Sequence, residues 1–152
     1  MITIGIRAAP KAVTFAIYDS DARAIINVEE IKLPAAFETP DALKYLRSNL
    51  LDVLREYKVS KAGVRASEPS AQSVNIERVQ IEGVIQEAFA SSDLVGYYVG
   101  HIASISSRVG IPRTDFKPIV AGERQYGAIA NWGTLTPVER EAVLCAVGAM
   151  DA

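Results

Sequence analysis

A mixed α/β sheet with helices on both faces is the fold class this sequence predicts, and three observations predict it. Segments 2–7, 12–19 and 23–33 are rich in Ile, Val and Phe and are joined by breaks short enough for antiparallel hairpins. Two further short apolar strands, at 61–65 and 94–101, each follow a stretch with the spacing of a helix. A last helical stretch closes the chain. A three-strand antiparallel meander is thereby extended by two parallel strands through helical crossovers.

Each element has its own signal. Ala8-Ala9-Pro10-Lys11 breaks the first strand from the second, and Asp19-Ser20-Asp21-Ala22 breaks the second from the third. Thr39-Pro40 supplies an N-cap followed by proline in the first turn. Leu43, Leu46, Leu50, Leu54 and Tyr57 then recur as one buried face of a helix running to about Lys58. After the strand Lys61-Ala62-Gly63-Val64-Arg65 and the turn Glu68-Pro69-Ser70, a second helix places Val74, Ile81, Val84, Ile85, Ala88 and Phe89 on one side. Leu94 to His101 is the fifth strand, and residues 102–109 suit a short helix. From 110 to 135 no periodicity is sustained, and Gly110, Pro112, Pro118, Gly122, Gly127 and Gly133 predict a long irregular loop, which in a small domain points to function, interface or mobility. Thr136-Pro137-Val138-Glu139 starts the last helix with a capping box, and that helix is apolar almost all round, as expected of one buried on more than one side.

Composition limits what such a domain can do. At 152 residues and 49% hydrophobic, the chain suits a single domain over 1–152 that buries about two thirds of its unfolded surface. A net charge of -2 gives no overall attraction to nucleic acid or to an anionic membrane, so nucleic-acid binding is possible only through a local patch. The N-terminus has no basic stretch followed by an apolar segment, and no apolar run is long enough to span a bilayer, which points to a cytoplasmic protein. Cys145, the one cysteine, has no intrachain partner, and with His101 as the one histidine it builds no zinc cage. Oxygen ligands would have to make any metal site, and no cofactor motif is present.

The order of elements is that of the ribonuclease-H-like fold. Four stretches resemble its RuvC-type branch, and more closely a small bacterial family of RuvC-like proteins: ITIGIRAAPKAVTFAIYD, KAGVRAS, SVNIERVQIEGVIQEAF and EREAVLCAVGAM. The resemblance implies a two-metal phosphodiesterase site, with one acidic residue in the first strand, another at the end of the fourth, and one or two near the start of the last helix. In this sequence the first position falls on Arg7 and the second on Arg65, Val138 falls on a third, and Glu141 is left to hold the fourth. An arginine about 6 Å from a divalent ion costs about 5 kcal/mol at an effective dielectric of 20. Two of them are incompatible with the metal pair.

The expectation is therefore a catalytically degenerate RuvC-like domain that acts by binding, as a homodimer or as a subunit of a larger assembly. Its alternatives are a metal-dependent nuclease with acids relocated to Glu68, Glu82 and Glu141, and a nucleic-acid-binding module. Arg7 and Arg65 either pair with Glu82 and Glu141 as a structural floor or form a fork for a small anion. Glu82 also stands four residues after Arg78, the spacing of a helical ion pair. Arg113, Lys117, Arg124, Tyr126 and Trp132 in the long loop suit a protein interface or, by alternating basic and stacking groups, single-stranded nucleic acid. His101 and Cys145 read as a capping or surface residue and an inert core thiol.

Overall fold

The computed structural model describes residues 1–152. Strands β1 (Ile2–Ala8), β2 (Ala12–Asp19) and β3 (Ala24–Lys32) form the meander, and β4 (Lys61–Arg65) and β5 (Gly96–Gly100) extend it in parallel, in the spatial order β3-β2-β1-β4-β5. Helices α1 (Thr39–Glu56) and α2 (Ile76–Ala90) supply the crossovers. After β5 come α3 (Ile102–Val109), α4 (Phe116–Ala121) and α5 (Pro137–Gly148). The mixed sheet with helices on both faces is as expected.

Strand alternation divides the core in two. Ile4, Ile6 and Ala8 of β1, Val13, Phe15 and Ile17 of β2, and Ala62 and Val64 of β4 meet α1 and α2 on one face. On the other face, Ala16, Tyr18 and Tyr98 meet α5, behind which lie Ile105, Phe116, Ile119, Tyr126, Ile129 and Trp132. Every residue of α5 from Arg140 to Gly148 is buried, because the sheet covers one side and α3 and α4 the other.

Glycine decides how close α5 comes. A Cβ on Gly5 would stand 1.9 Å from the Ala142 carbonyl oxygen and 2.2 Å from the Ala146 nitrogen. Helix backbone therefore rests directly on strand backbone. Thr3, on the same face, donates its hydroxyl to the Ala146 carbonyl at 2.7 Å.

Four expectations are corrected. Val74 lies before α2, which Asn75 caps by accepting the Arg78 N–H, so it is exposed rather than on the buried face. The cap of α1 falls on Glu38, with Thr39 the first helical residue and no side-chain cap bond, and the helix ends at Glu56 rather than Lys58. The fifth strand begins at Gly96 and ends at Gly100, with His101 already capping α3. Residues 110–135 are not one irregular loop: they contain a 3-10 turn at Arg113–Asp115, helix α4, and a second 3-10 turn at Trp132–Thr134. No helix is long and apolar enough to cross a membrane.

Candidate functional site

The parallel pairing of β1 with β4 sets Arg7 directly opposite Arg65. Both side chains point to the α5 face, in line with Gly5 and Gly63. Neighbouring strands lie about 4.8 Å apart, and two like charges at about 5 Å repel by about 3 kcal/mol at an effective dielectric of 20. A counter-charge has to lie between them.

Glu141, in the second turn of α5, supplies it. Its Oε2 accepts from Arg7 Nε, and its Oε1 accepts from Arg65 Nε at 3.3 Å. The Arg65 side chain is 8% exposed, Glu141 11% and Arg7 20%, so this bridge is shielded from solvent and weakly screened. Each arginine also donates Nη1 to a backbone carbonyl at its strand end, Ala8 for Arg7 and Ala66 for Arg65. The guanidinium of Arg65 lies over the Phe116 ring at 5.7 Å, so α4 covers it.

Two further ion pairs flank the bridge. Glu68 Oε1 forms an ion pair with Arg65 Nη1 at 3.2 Å and accepts the Ile102 N–H at the start of α3 at 2.7 Å. Glu82 Oε2 accepts from Arg78 Nε at 2.8 Å and from the Ser67 hydroxyl at 3.0 Å, and both its oxygens face the Ser67 N–H. Burial, followed by the charges of Arg7 and Arg65, draws the Arg78 guanidinium below its ordinary value. Arg78 Nη2 is buried without a partner. Arg7, Arg65 and Arg78 thus balance Glu141, Glu68 and Glu82, three charges against three.

Of the expected set, the structure brings Arg7, Arg65 and Glu141 together. Glu82 does not reach Arg7 or Arg65, which corrects its place in the expected floor, and it makes the i, i+4 pair with Arg78 that its spacing predicts. Glu68, expected only as a member of a relocated acidic cluster, pairs with Arg65 instead, a partner that its spacing three residues on would have indicated. The expected interface set divides. Tyr126 and Trp132 are a correction, since they belong to this chain's own core rather than to an interface: Trp132 is fully buried, donates Nε1 to the Ile119 carbonyl at 2.9 Å and packs on Tyr126. Arg124 pairs with Asp115 at 2.6 Å, and Arg113 and Lys117 are exposed. His101 occupies the N-cap position of α3, its N–H donating to Ser104 Oγ. Burial, with Glu141's charge adding to it, pushes the Cys145 thiol up to about 12.

Sequence reasoning missed Arg140. It is buried without an acidic partner and donates to the carbonyls of Val120, Trp132 and Gly133 at 3.0 to 3.3 Å. Gly122, in the left-handed region at φ 82°, passes so close that a Cβ would stand 2.8 Å from Arg140 Nη1. The one signal in the sequence is a lone cation between Glu139 and Glu141 at the head of an otherwise apolar helix.

The fold has known counterparts. RuvC from Thermus thermophilus superposes with a TM-score of 0.72 over 97% of this chain and 92% of its own, at 10% identity, in a structure of the protein and in one of its complex with a Holliday junction substrate. The fold is RuvC-like. The Holliday junction resolvase of fowlpox virus aligns over 99% of this chain and 95% of its own, at 14% identity and a TM-score of 0.46. No family model and no curated protein matches the chain.

On a RuvC-like fold the resemblance places metal-binding carboxylates at the two strand ends that hold Arg7 and Arg65. The donor set here does not fit a divalent ion. Both oxygens of Glu141 are taken by guanidinium groups, Glu68 and Glu82 are held by an arginine each, and nowhere do three His, Cys, Asp or Glu side chains converge.

Proposed function

We propose that this chain is a catalytically degenerate RuvC-fold domain that works by binding, as a homodimer or within a larger assembly, and does not hydrolyse phosphodiesters. The observation that carries this reading is the in-register pair Arg7 and Arg65, bridged by Glu141 from the second turn of α5. Cleavage by a two-metal site needs carboxylates free to hold both ions and an activated water. Here the same strand ends hold cations, and the remaining acids neutralise them. The bridge replaces a catalytic cluster with a structural one, keeping the sheet and α5 tied where metals would otherwise tie them.

The reading is tested with four-way junction, duplex and single-stranded DNA and with RNA, in magnesium and in manganese. No cleavage is expected on any substrate. Metal-dependent cleavage that disappears in Glu141→Gln or Glu82→Gln would establish a relocated acidic site instead.

A further inference from the structure

Three residues other than glycine hold the left-handed backbone conformation: Arg23 at φ 54°, Lys58 at φ 51° and Asn131 at φ 59°. Asparagine tolerates it, but a bulky residue such as arginine keeps it only where the surrounding structure imposes it. Arg23 and Asn131 both line one surface cavity of about 310 Å³. Lys58 lines another, of about 400 Å³.

The walls of the smaller cavity are two turns far apart in the chain, and each is fixed from within. Between β2 and β3, Asp19 Oδ1 accepts the N–H groups of Asp21 and Ala22 at 2.9 and 3.3 Å. On the opposite wall the Asn131 carbonyl accepts the Thr134 N–H at 3.0 Å and the Thr134 hydroxyl at 2.7 Å. Trp132, next to Asn131, is fully buried and bonded to the Ile119 carbonyl. Both left-handed residues are therefore held in place by the fold itself, which lowers the ordering cost of binding between them.

The floor of this cavity is apolar. Ile25, Ile129 and Leu135 line it, and all three belong to the core on the α5 side of the sheet. Its polar groups are a guanidinium, an amide and a hydroxyl, and no acid lines it. Arg23 forms no ion pair, and the Asn131 side chain makes no hydrogen bond within the chain. Burial raises the Tyr18 hydroxyl above its ordinary value and the Arg23 charge offsets part of that rise, so the guanidinium acts on the α5 side, where the cavity opens. The larger cavity is built differently. Asp93 lines it beside Lys58, and α1 and α2 both end at it, so the carbonyl ends of two helices disfavour an anion there.

We propose that the cavity between Arg23 and Asn131 binds a small amphipathic carboxylate, its carboxylate on the Arg23 fork and the Asn131 amide and its apolar body on Ile25, Ile129 and Leu135. A guanidinium meets a carboxylate with two parallel N–H···O bonds, and the amide adds a further donor. An apolar floor with a few convergent polar groups is the usual make-up of a small-molecule site, and such sites span about 300 to 1,000 Å³. At about 310 Å³ this one takes a short apolar body and no polymer. The site lies apart from the bridge of Arg7, Glu141 and Arg65, and it stands whether or not catalysis has been lost.

Equilibrium dialysis of the full chain against octanoate tests it, with octanol as the probe that lacks the carboxylate and inorganic phosphate as the probe that lacks the apolar body. Octanoate binds saturably in the micromolar to millimolar range, and neither of the other two binds as tightly. Arg23→Asn removes the guanidinium while tolerating the left-handed backbone, so the variant folds and its affinity falls at least about tenfold. Lys58→Asn, the same change in the larger cavity, leaves the affinity unchanged. An absence of saturable octanoate binding up to the millimolar range would overturn the inference. So would octanol or phosphate binding as tightly as octanoate, an affinity unchanged in Arg23→Asn, or one lost in Lys58→Asn.

Discussion

Truncating Arg65 to alanine would leave Glu141 and Glu68 short of a partner in a site almost closed to water. Removing one member of a buried ion pair costs about 3 to 5 kcal/mol, because the surviving charge stays desolvated. Arg65→Ala should therefore lose stability in that range by urea denaturation, and Arg7→Ala, more exposed and with one acidic contact, should lose less. Arg65→Lys should recover only part of the loss, since an ammonium group cannot reach Glu141, Glu68 and the Ala66 carbonyl as a planar fork does. A second expectation concerns Cys145. Its thiol is held near 12 in the fold against an ordinary value of 9.0. The folded chain then keeps a proton that the unfolded chain loses, so stability falls as pH rises from about 9 toward about 12. Burial raises Tyr98 in the same direction, its hydroxyl donating to the Cys145 carbonyl. At pH 8 the thiol should react with a disulfide reagent at the rate of global unfolding and no faster. At this scale the sequence disclosed that Arg7 and Arg65 stand at two strand ends, because strand position follows from local pattern; that they stand where acids would is what the resemblance implies. It did not disclose which acid each arginine meets, because that depends on how far α5 sinks onto the sheet.

Helix α5 sinks so far because β1 and β4 present glycine beneath it. Gly5→Ala puts a methyl group into the Ala142 carbonyl, backbone against backbone with no side chain to give way. The variant should fail to accumulate as a folded protein, whereas Gly83→Ala, with open space at its Cβ, should gain a few tenths of a kcal/mol or more from helix propensity. Glycines in strands are easily read from the sequence as turns or weak points, so this close approach was not legible there. The stretch 110–135 was misread for a related reason. Helix α4 has six residues, too few to show a period, and is held by tertiary contacts: Arg140 on three carbonyls, Trp132 on Ile119, and Phe116 over Arg65. Arg140→Met would leave those carbonyls without a donor, at about 1 to 3 kcal/mol for each buried group not reached by water. Limited proteolysis should then cut between residues 122 and 131 in the variant under conditions that leave wild type intact.

Across the whole molecule, the meander, the two crossovers and the sheet order were legible because each rests on local pattern: short turns, period-two strands, and a leucine face on α1. The outward face of α2 was not, because a helix apolar on two sides looks in sequence like one that is merely buried, and Val74 was drawn into the wrong one. What the molecule shares with RuvC is the frame, and the frame sets two strand ends and one helix start against each other. In this chain that convergence point is filled by guanidinium and carboxylate groups that neutralise one another. The central claim is that the point has no capacity left for divalent metal. Manganese binding to the purified wild-type chain, followed by the electron paramagnetic resonance of the free hydrated ion at micromolar to millimolar concentrations, measures that capacity directly. The account predicts a free-ion signal equal to that of buffer alone. One or two manganese ions bound per chain, and released in Glu141→Gln, would contradict it.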